Sequence, residues 1–321
     1  MPTRTGSNAL IDEDVASDII KGVTNKSAAM QLMRHVQMKQ QQKRLPIIEV
    51  LPDGSDFLAT DTSLKPVAEM SWTNKYLDAR PIACIVYLPE DVVDDVMDGG
   101  KGDIWEQVKP QMEDDIARKL DNAIFFGVGK PAVWPTAIAT AAIAAGNTVT
   151  LGAGVDIFAD INTAMTLIEA DGYSVDGFWA RQQFKGNIRN ERDANRGFLY
   201  PPSGPANTGA SEATVGGSLF GEKLVFSRAG LSGFANLTGN PHLIAADWSQ
   251  MLLGIRKDLQ WKVLDQATLY NTDGSVRIAL PQQDAVAIRV VGRFAFQVPN
   301  PVNRMQGTES ARYPAAVVRQ T

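Results

Sequence analysis

The sequence predicts a mixed α+β fold, and three observations predict it. Apolar residues recur at every fourth position between Asp103 and Phe126, which indicates one long helix. Short runs rich in Val, Ile, Tyr and Phe precede this stretch and return in the last quarter of the chain, as is typical of strands. Because the long helix and the late strands are far apart in sequence, we expect them to share a non-local core.

Composition excludes several classes of protein. With 321 residues, 44% of them apolar, the chain can bury a sizeable core without staples. A single cysteine, Cys84, excludes an internal disulfide framework and favours a reducing compartment. Two histidines, His35 and His242, are too few for a multi-histidine zinc site. The N-terminus lacks the apolar segment of a signal peptide, so we expect a cytoplasmic protein with no membrane span.

Charge is distributed unevenly along the chain. The net charge of −5 argues against a dedicated nucleic-acid binder. However, residues 19–48 contain six bases and no acid, whereas residues 88–121 carry eleven carboxylates against four bases. The basic segment is either a solvated helix or a contact with nucleic acid through its phosphates. The candidate DNA-facing residues are Arg34, Lys39, Lys43 and Arg44.

The first 45 residues predict a helix-containing arm, and the residues that follow predict a two-stranded ribbon. Ser27 is a plausible N-cap, and a thin apolar stripe follows it, which needs a partner surface. Strands are predicted at Leu45–Leu51 and Asp78–Leu88, joined by the polar excursion of a long hairpin. Because an isolated ribbon has little core, we expect a neighbouring molecule to stabilise it. The arm's apolar stripe is Met30, Leu32, Met33 and Val36.

The long helix, here called the spine helix, has clear boundaries. Asp103 and Glu106 form a capping box, and Gly127 is placed to end the helix. We expect ion pairs between residues 114 and 118 and between residues 115 and 119 on its outer side. The predicted buried row is Ile104, Val108, Met112, Ile116, Leu120 and Ile124.

After the spine helix, the pattern predicts an amphipathic helix at about Val155–Asp171 and a long, mobile loop or pair of loops at Lys185–Gly221. Strands then follow to about residue 298, with a tight turn at Asp273-Gly274. No stretch predicts catalysis. FGVGK lacks the spacing and the hydroxyl of a P-loop, and no G-x-S-x-G elbow accompanies His242. We therefore expect no catalytic residue, no cofactor and no metal; the carboxylates at 113–115 predict a solvated helix face.

Three segments of the chain, taken together, have a recognisable order and spacing. The first is VAEMSWTNKYLDARPIACIVYLPEDVVDD, with Glu69, Trp72 and the Leu88-Pro89-Glu90 helix entry. The second is EDDIARKLDNAIFFGVGKP, with Asp121 and the ending FGVG. The third is GIRKDLQWKVLDQATLYNTDGSVRIALPQQDAVAIRVVGRFAFQVPNP. Together they resemble the major capsid proteins of tailed phages with the Hong Kong 97 fold. The resemblance covers roughly Leu45 to Pro301 and depends on the order and spacing of the three segments.

The resemblance implies a division of the chain and a set of contact residues. The division is an N-terminal arm (1–45), an extended loop (46–87), a peripheral domain with the spine helix (88–126 and 258–298), an axial domain (127–257) and a C-terminal segment (299–321). The extended loop would lie across a neighbouring subunit. The candidate assembly-interface residues are Glu69, Trp72, Lys75, Arg118 and Lys119. Because the chain begins at the arm, we expect no fused scaffolding extension.

The resemblance also implies a function. We expect a structural, non-enzymatic capsid protein that forms hexamers and pentamers in an icosahedral head around phage double-stranded DNA. Portal, scaffolding or decoration proteins would be its partners, and assembly would take place in the host cytoplasm. Two alternatives stay open: an encapsulin-type nanocompartment shell on the same fold, and a hydrolase with a nonstandard site at His242.

Overall fold

The computed structural model describes residues 27–53, 55–58, 64–65, 67–93, 104–152, 154, 156–190, 217–227 and 241–320, without the side chains of residues 104, 106–107, 189–190 and 257–261. Its helices are α1 (Ala28–Leu32), α2 (Ile104–Asp121), α3 (Ile138–Ala144), α4 (Ile157–Ala170) and α5 (Phe184–Asn190). Its early strands are β1 (Arg34–Met38), β2 (Gln42–Val50), β3 (Ser71–Asp78), β4 (Arg80–Pro89), β5 (Thr148–Thr150), β6 (Gly177–Arg181) and β7 (Ser218–Leu219). Its later strands are β8 (Glu222–Ser227), β9 (Pro241–Ala246), β10 (Leu252–Leu264), β11 (Thr268–Tyr270), β12 (Val276–Ala279), β13 (Ala285–Gln297) and β14 (Ala315–Arg319).

One of the two larger sheets has four strands in the order β1-β10-β13-β4 and combines early and late segments of the chain. β1 runs parallel to β10, and the other two pairs are antiparallel. Alternate residues of β4 and β13, among them Cys84 and Val290, face α2. On the opposite, outer face of the sheet, the side chain of Met38 lies directly against the backbone of Gly254. A Cβ added at Gly254 would lie 2.5 Å from Met38 Sδ. Glycine is therefore needed where β1 packs beside β10.

The spine helix forms as predicted, with one difference at its end. α2 is α-helical to Asp121, and residues 122–126 form a π-helical turn before Gly127, whose φ of 75° ends the helix. All five residues of this turn are buried. The predicted row is buried at Met112, Ile116, Leu120 and Ile124. The capping residue Asp103 and the side chain of Glu106 lie outside the described residues.

The other larger sheet is mixed and has six strands in the order β5-β14-β9-β6-β8-β7. One face packs against α4 and α5, around Ile161, Phe178 and Phe184. The other face, which includes Trp179 and Val317, joins α1, α2, α3 and the four-stranded sheet in the main core. Aromatic rings mark this junction, with Phe125 and Phe126 each 5.3 Å from Trp179 between centroids. The spine helix therefore ends inside a core that both sheets share.

Two later predictions are confirmed. The amphipathic helix is α4, which begins after the N-cap Asp156, whose carboxylate accepts from the Ala159 amide. The turn at Asp273-Gly274 joins β11 to β12, with Gly274 at a φ of 84°. The loop predicted at Lys185–Gly221 is wrong at both ends, because α5 and β7 occupy residues 184–190 and 218–219. Residues 191–216 lie outside the described part of the chain.

Two early predictions are corrected. The arm does not continue as a helix: α1 ends at Leu32, and residues 34–38 form β1. Its apolar stripe is covered by its own chain, since Met30 and Met33 lie in the main core. The ribbon does not pair residues 45–51 with residues 78–88. β2 pairs with β3, and β4 pairs with β13 in the four-stranded sheet.

Candidate subunit interface

The ribbon, residues 42–78, consists of β2, β3 and the connection between them. Its register places Ile48 opposite Trp72 and Arg44 opposite Tyr76. Opposite residues of an antiparallel pair share a face, and neighbours along a strand alternate. These four residues therefore form the outward face of the ribbon. The inward face carries Leu45, Ile47, Lys75 and Leu77.

The inward face of the ribbon base packs against the outer face of the four-stranded sheet. The buried residues of this contact are Met38, Leu77, Ala79, Leu252 and Ala295. The expectation that the ribbon lacks a core within its own chain is therefore wrong for its base. The physical reason is that alternate residues of β3 point to opposite faces, so Trp72 and Tyr76 are exposed while Leu77 is turned toward the sheet and buried.

Polar contacts fix the ribbon to the end of β13 and to the segment that follows it. They run from Gln297 Nε2 to the Tyr76 carbonyl (3.0 Å), from Lys75 Nζ to the Glu309 carboxylate (2.6 Å) and from Arg304 Nη2 to the Pro52 carbonyl (3.0 Å). Trp134 Nε1 also donates to the carbonyl of Asp78 at the base (3.0 Å). Of the predicted interface residues, Lys75 is thus held by a carboxylate of its own chain.

Large apolar side chains are exposed on the outward face of the ribbon and at the ribbon tip, which we define as residues 49–70. Trp72 is 61% exposed, and Phe57, Leu64 and Val67 are 102%, 95% and 92% exposed. Glu69 is exposed beside them. Single apolar residues on a surface are ordinary, but a concentration of them marks an interaction site. Trp72 and Glu69 were predicted from the sequence, but the apolar residues of the tip were not. The sequence feature that could have indicated them is the presence of apolar residues within an otherwise polar, turn-rich connection between two strands.

The two other predicted interface residues lie on the spine helix, away from the ribbon. Arg118 pairs with Asp115 at 2.7 Å, one residue closer along the helix than expected. Lys119 is exposed and borders a groove of about 380 Å³ between α2, the start of β4 and the loop around Trp134. The candidate interface residues therefore fall on two separate elements.

The four candidate DNA-facing residues lie on strands and turns, which corrects the reading of this segment as a solvated helix. Arg34 is in β1, Lys39 follows it, and Lys43 and Arg44 are in β2. All four side chains are exposed. Arg44 Nε donates to the Asn74 side chain at 2.7 Å, which orients it along the outward face of the ribbon.

A buried carboxylate joins the start of the described chain to the spine helix. Asp121 accepts hydrogen bonds from Ser27 Oγ (2.6 Å) and from the amides of Ala28 (2.9 Å) and Ala29 (3.1 Å). It thereby satisfies amide groups at the N-terminus of α1, which the helix itself leaves unpaired. Burial raises the pKa of Asp121 to about 6 against the lowering effect of these donors.

The residues considered for chemistry lie apart from one another. His242 is in β9, as expected for a strand entry, with Nε2 3.4 Å from Gln320 Oε1, and burial lowers its pKa. Cys84 faces the spine helix, where burial raises the pKa of its thiol. Within the part of the chain that the structure describes, no group of three or more His, Cys, Asp and Glu could hold a metal ion. No helix among the same residues is long and apolar enough to cross a membrane.

Comparison with protein families gives one match over nearly the whole chain. The model of the phage capsid family matches residues 7–303. No curated protein sequence matches the chain.

Comparison with solved structures gives phage proteins of the same length and fold. A structure from Microbacterium phage Oxtober96 is 33% identical, with a TM-score of 0.73 over 92% of this chain and 91% of that one. A structure from Mycobacterium phage Bobi is 28% identical, with a TM-score of 0.75 over 99% and 98%. One from Mycobacterium phage Adephagia is 26% identical, with a TM-score of 0.75 over 100% and 98%.

Proposed function

Because the chain belongs to the phage capsid family, we propose that its ribbon is a contact between subunits of an icosahedral head that encloses phage double-stranded DNA. The chain is a structural capsid protein of the virion, with the α+β fold of phage capsid structures. The observation that carries the proposal is the ribbon's outward face and tip, which expose Trp72, Phe57 and Leu64 to solvent. A subunit that covers these side chains removes apolar surface from water.

The division into regions is part of the same proposal. The extended loop would be the ribbon, residues 42–78, which overlaps the predicted range 46–87 but begins and ends earlier, and it would lie across a neighbouring subunit. The peripheral domain would contain the spine helix and the four-stranded sheet, and therefore β4 as well. The axial domain would contain the six-stranded sheet, whose copies would meet at the centres of capsomers. The distinct sheets support this division, although both contribute to one core.

The proposed assembly consists of hexamers and pentamers, formed in the host cytoplasm with portal, scaffolding or decoration proteins. Exposed bases at Arg34, Lys39, Lys43 and Arg44 could reach packaged DNA without sequence preference, through its phosphates. The encapsulin alternative is not favoured, since the matching family and the similar structures reported above are those of phages.

The test is to express the chain alone and follow assembly by sedimentation velocity and negative-stain microscopy. We expect capsomers, tubes or shells whose amount rises with concentration, because the exposed apolar surface is buried only between copies. A stable monomer at all concentrations, with and without coexpressed phage head proteins, would contradict the proposal.

A further inference from the structure

The segment that joins β13 to β14, residues 299–312, has no apolar core of its own. It contains no α-helix or strand, only a 3-10 turn at Glu309–Ala311. Of its larger apolar side chains, Val302 is half-buried and Met305 is 70% exposed. We call this segment the clasp. Because burial of apolar surface does not determine its shape, polar contacts must do so.

Arg312 holds the clasp in shape from within. The residue is 4% exposed. Its guanidinium donates to four backbone carbonyls of the clasp itself, those of Asn300 (3.1 Å), Pro301 (3.1 Å), Gln306 (3.2 Å) and Gly307 (2.8 Å). Among the residues that the structure describes, no carboxylate forms an ion pair with it. A buried cation is costly unless its donors are satisfied, so the clasp carbonyls stay gathered around the planar guanidinium.

The clasp is attached to the side of the molecule that carries the six-stranded sheet. Asn303 Nδ2 donates to the carbonyl of Asp171, at the end of α4 (2.6 Å). Tyr173 Oη donates to Asn300 Oδ1, also at 2.6 Å. The carboxylate of Asp171 in turn accepts from the amide of Tyr313, directly after the clasp (3.0 Å). Since α4 packs on the six-stranded sheet, these contacts fix one side of the clasp to that sheet.

The clasp also holds the ribbon, beyond the ribbon base. The amide of Val302 donates to the carbonyl of Ile48 (3.4 Å). The two clasp side chains described above reach Pro52 and Lys75. Ile48 lies about 20 Å along β2 from the first residue of that strand, at the usual strand rise. The ribbon is therefore held at two separate places, its base and the clasp, and two such places fix its direction whereas the base alone would not.

We propose that the clasp sets the direction of the ribbon relative to the six-stranded sheet, and that Arg312 is the positioning residue that keeps the clasp in shape. Without it, the ribbon turns about its base. This inference rests on the proposed function, in which the ribbon is a contact between subunits. The direction of such a contact sets the angle between neighbouring subunits, and that angle decides how an assembly curves and closes.

Two variants of the full chain loosen the clasp in different ways. Arg312→Lys keeps the positive charge but replaces the planar guanidinium with a single ammonium, which cannot hold four separated carbonyls. Arg304→Ala combined with Glu309→Ala leaves Arg312 in place and removes the side-chain contacts of the clasp with the ribbon. Both of these residues are exposed, so the double variant should fold. The matched control is Glu169→Ala, an exposed substitution on α4, outside the clasp and the ribbon.

The readout is the distance between the ribbon and α4, measured by pulsed electron paramagnetic resonance on unassembled protein. Spin labels at Glu49→Cys on the ribbon and Thr163→Cys on α4, both exposed positions, report it in a Cys84→Ala background. The wild type and the control should give one narrow distribution of distances. Each clasp variant should widen it about twofold, because only the ribbon base then holds the ribbon.

A clasp that merely connects β13 to β14 would leave the distance distribution unchanged. A distribution as narrow as the wild type's in either variant, shown to be folded by circular dichroism, would overturn the inference. Should Arg312→Lys not fold, the variant with Arg304→Ala and Glu309→Ala decides alone.

Assembly of the unlabelled chains separates this inference from the proposed function. Negative-stain microscopy should show products with a narrow range of diameters from the wild type and the control, and a wider range from the clasp variants. Unchanged diameters in variants with widened distances would refute the effect of the clasp on curvature. If no chain assembles, the wild type included, the proposed function fails, whereas the distances still test whether the clasp directs the ribbon.

Discussion

Asp121 shows how a single residue positions the start of the described chain. Its carboxylate is buried between α1, the spine helix and β8, where Ser227 Oγ also lies 3.5 Å away. An ionised carboxylate is costly to bury, and the hydrogen-bond donors around Asp121 offset only part of that cost. Burial disfavours the charged form and raises the pKa of Asp121, whereas the hydrogen bonds lower it, and the result is a pKa of about 6.

At the residue scale, we predict that Asp121→Asn removes a pH-dependent component of stability. Because the folded pKa is raised from 3.8 to about 6, this group's contribution is fully present below pH 3.8 and is lost as pH rises through 6. The wild-type free energy of unfolding, relative to the variant's, should therefore fall by on the order of 2 to 3 kcal/mol between pH 4 and pH 7.5. Urea denaturation of unassembled protein measures this difference. An equal difference at both pH values would contradict the prediction, and Asp115→Asn on the exposed side of the helix is the control.

At the scale of elements, the ribbon combines two functions because its strands alternate. Its inward side chains at the base attach it to the sheet of its own molecule, and its outward side chains remain exposed. The end of the spine helix likewise differs from the rest of the helix because of the elements that surround it. Residues 122–126 are buried on all sides because the helix end lies between two sheets, and there the helix widens into a π turn.

The ribbon's two faces lead to opposite predictions for two substitutions. Leu77→Ala should lower the stability of the monomer by about 2 to 5 kcal/mol, because it leaves a cavity in a buried cluster. Trp72→Ala should change monomer stability by less than about 0.5 kcal/mol and reduce assembly, because its side chain is mostly exposed. Urea denaturation and sedimentation velocity separate the two effects. A loss of monomer stability in Trp72→Ala similar to that in Leu77→Ala would refute the division into faces.

At the scale of the whole molecule, the described part of the chain folds around its own core and leaves the ribbon tip exposed. The main core includes residues from both sheets and from three helices, so the monomer does not need a neighbour to fold. The tip residues, in contrast, have little contact with the rest of the chain that the structure describes. Folding and assembly therefore depend on different residues.

We predict that deleting residues 53–65 preserves soluble, folded protein and impairs shell formation. The deletion removes Phe57 and Leu64, which are exposed, and leaves the buried base of the ribbon in place. Circular dichroism should show unchanged secondary structure, and negative-stain microscopy should show few shells. Normal shells from the deleted chain would refute the assignment of this loop as a subunit contact.

The sequence by itself determined the elements whose signal is local. The spacing of apolar residues predicted the spine helix, Gly127 predicted where it ends, and turn chemistry predicted the hairpin at Asp273-Gly274. The order and spacing of three segments were enough to indicate the capsid family. These signals are readable because helix period, caps and turns depend on neighbours in the chain.

Only the tertiary structure decided which strands pair and which surfaces stay open. Residues 71–78 and 80–89 both alternate like strands, and burial of Leu77 and Ala79 against the sheet assigns the first to the ribbon and the second to the sheet. Pairing depends on contacts between distant residues, and a single sequence records such residues without recording that they meet.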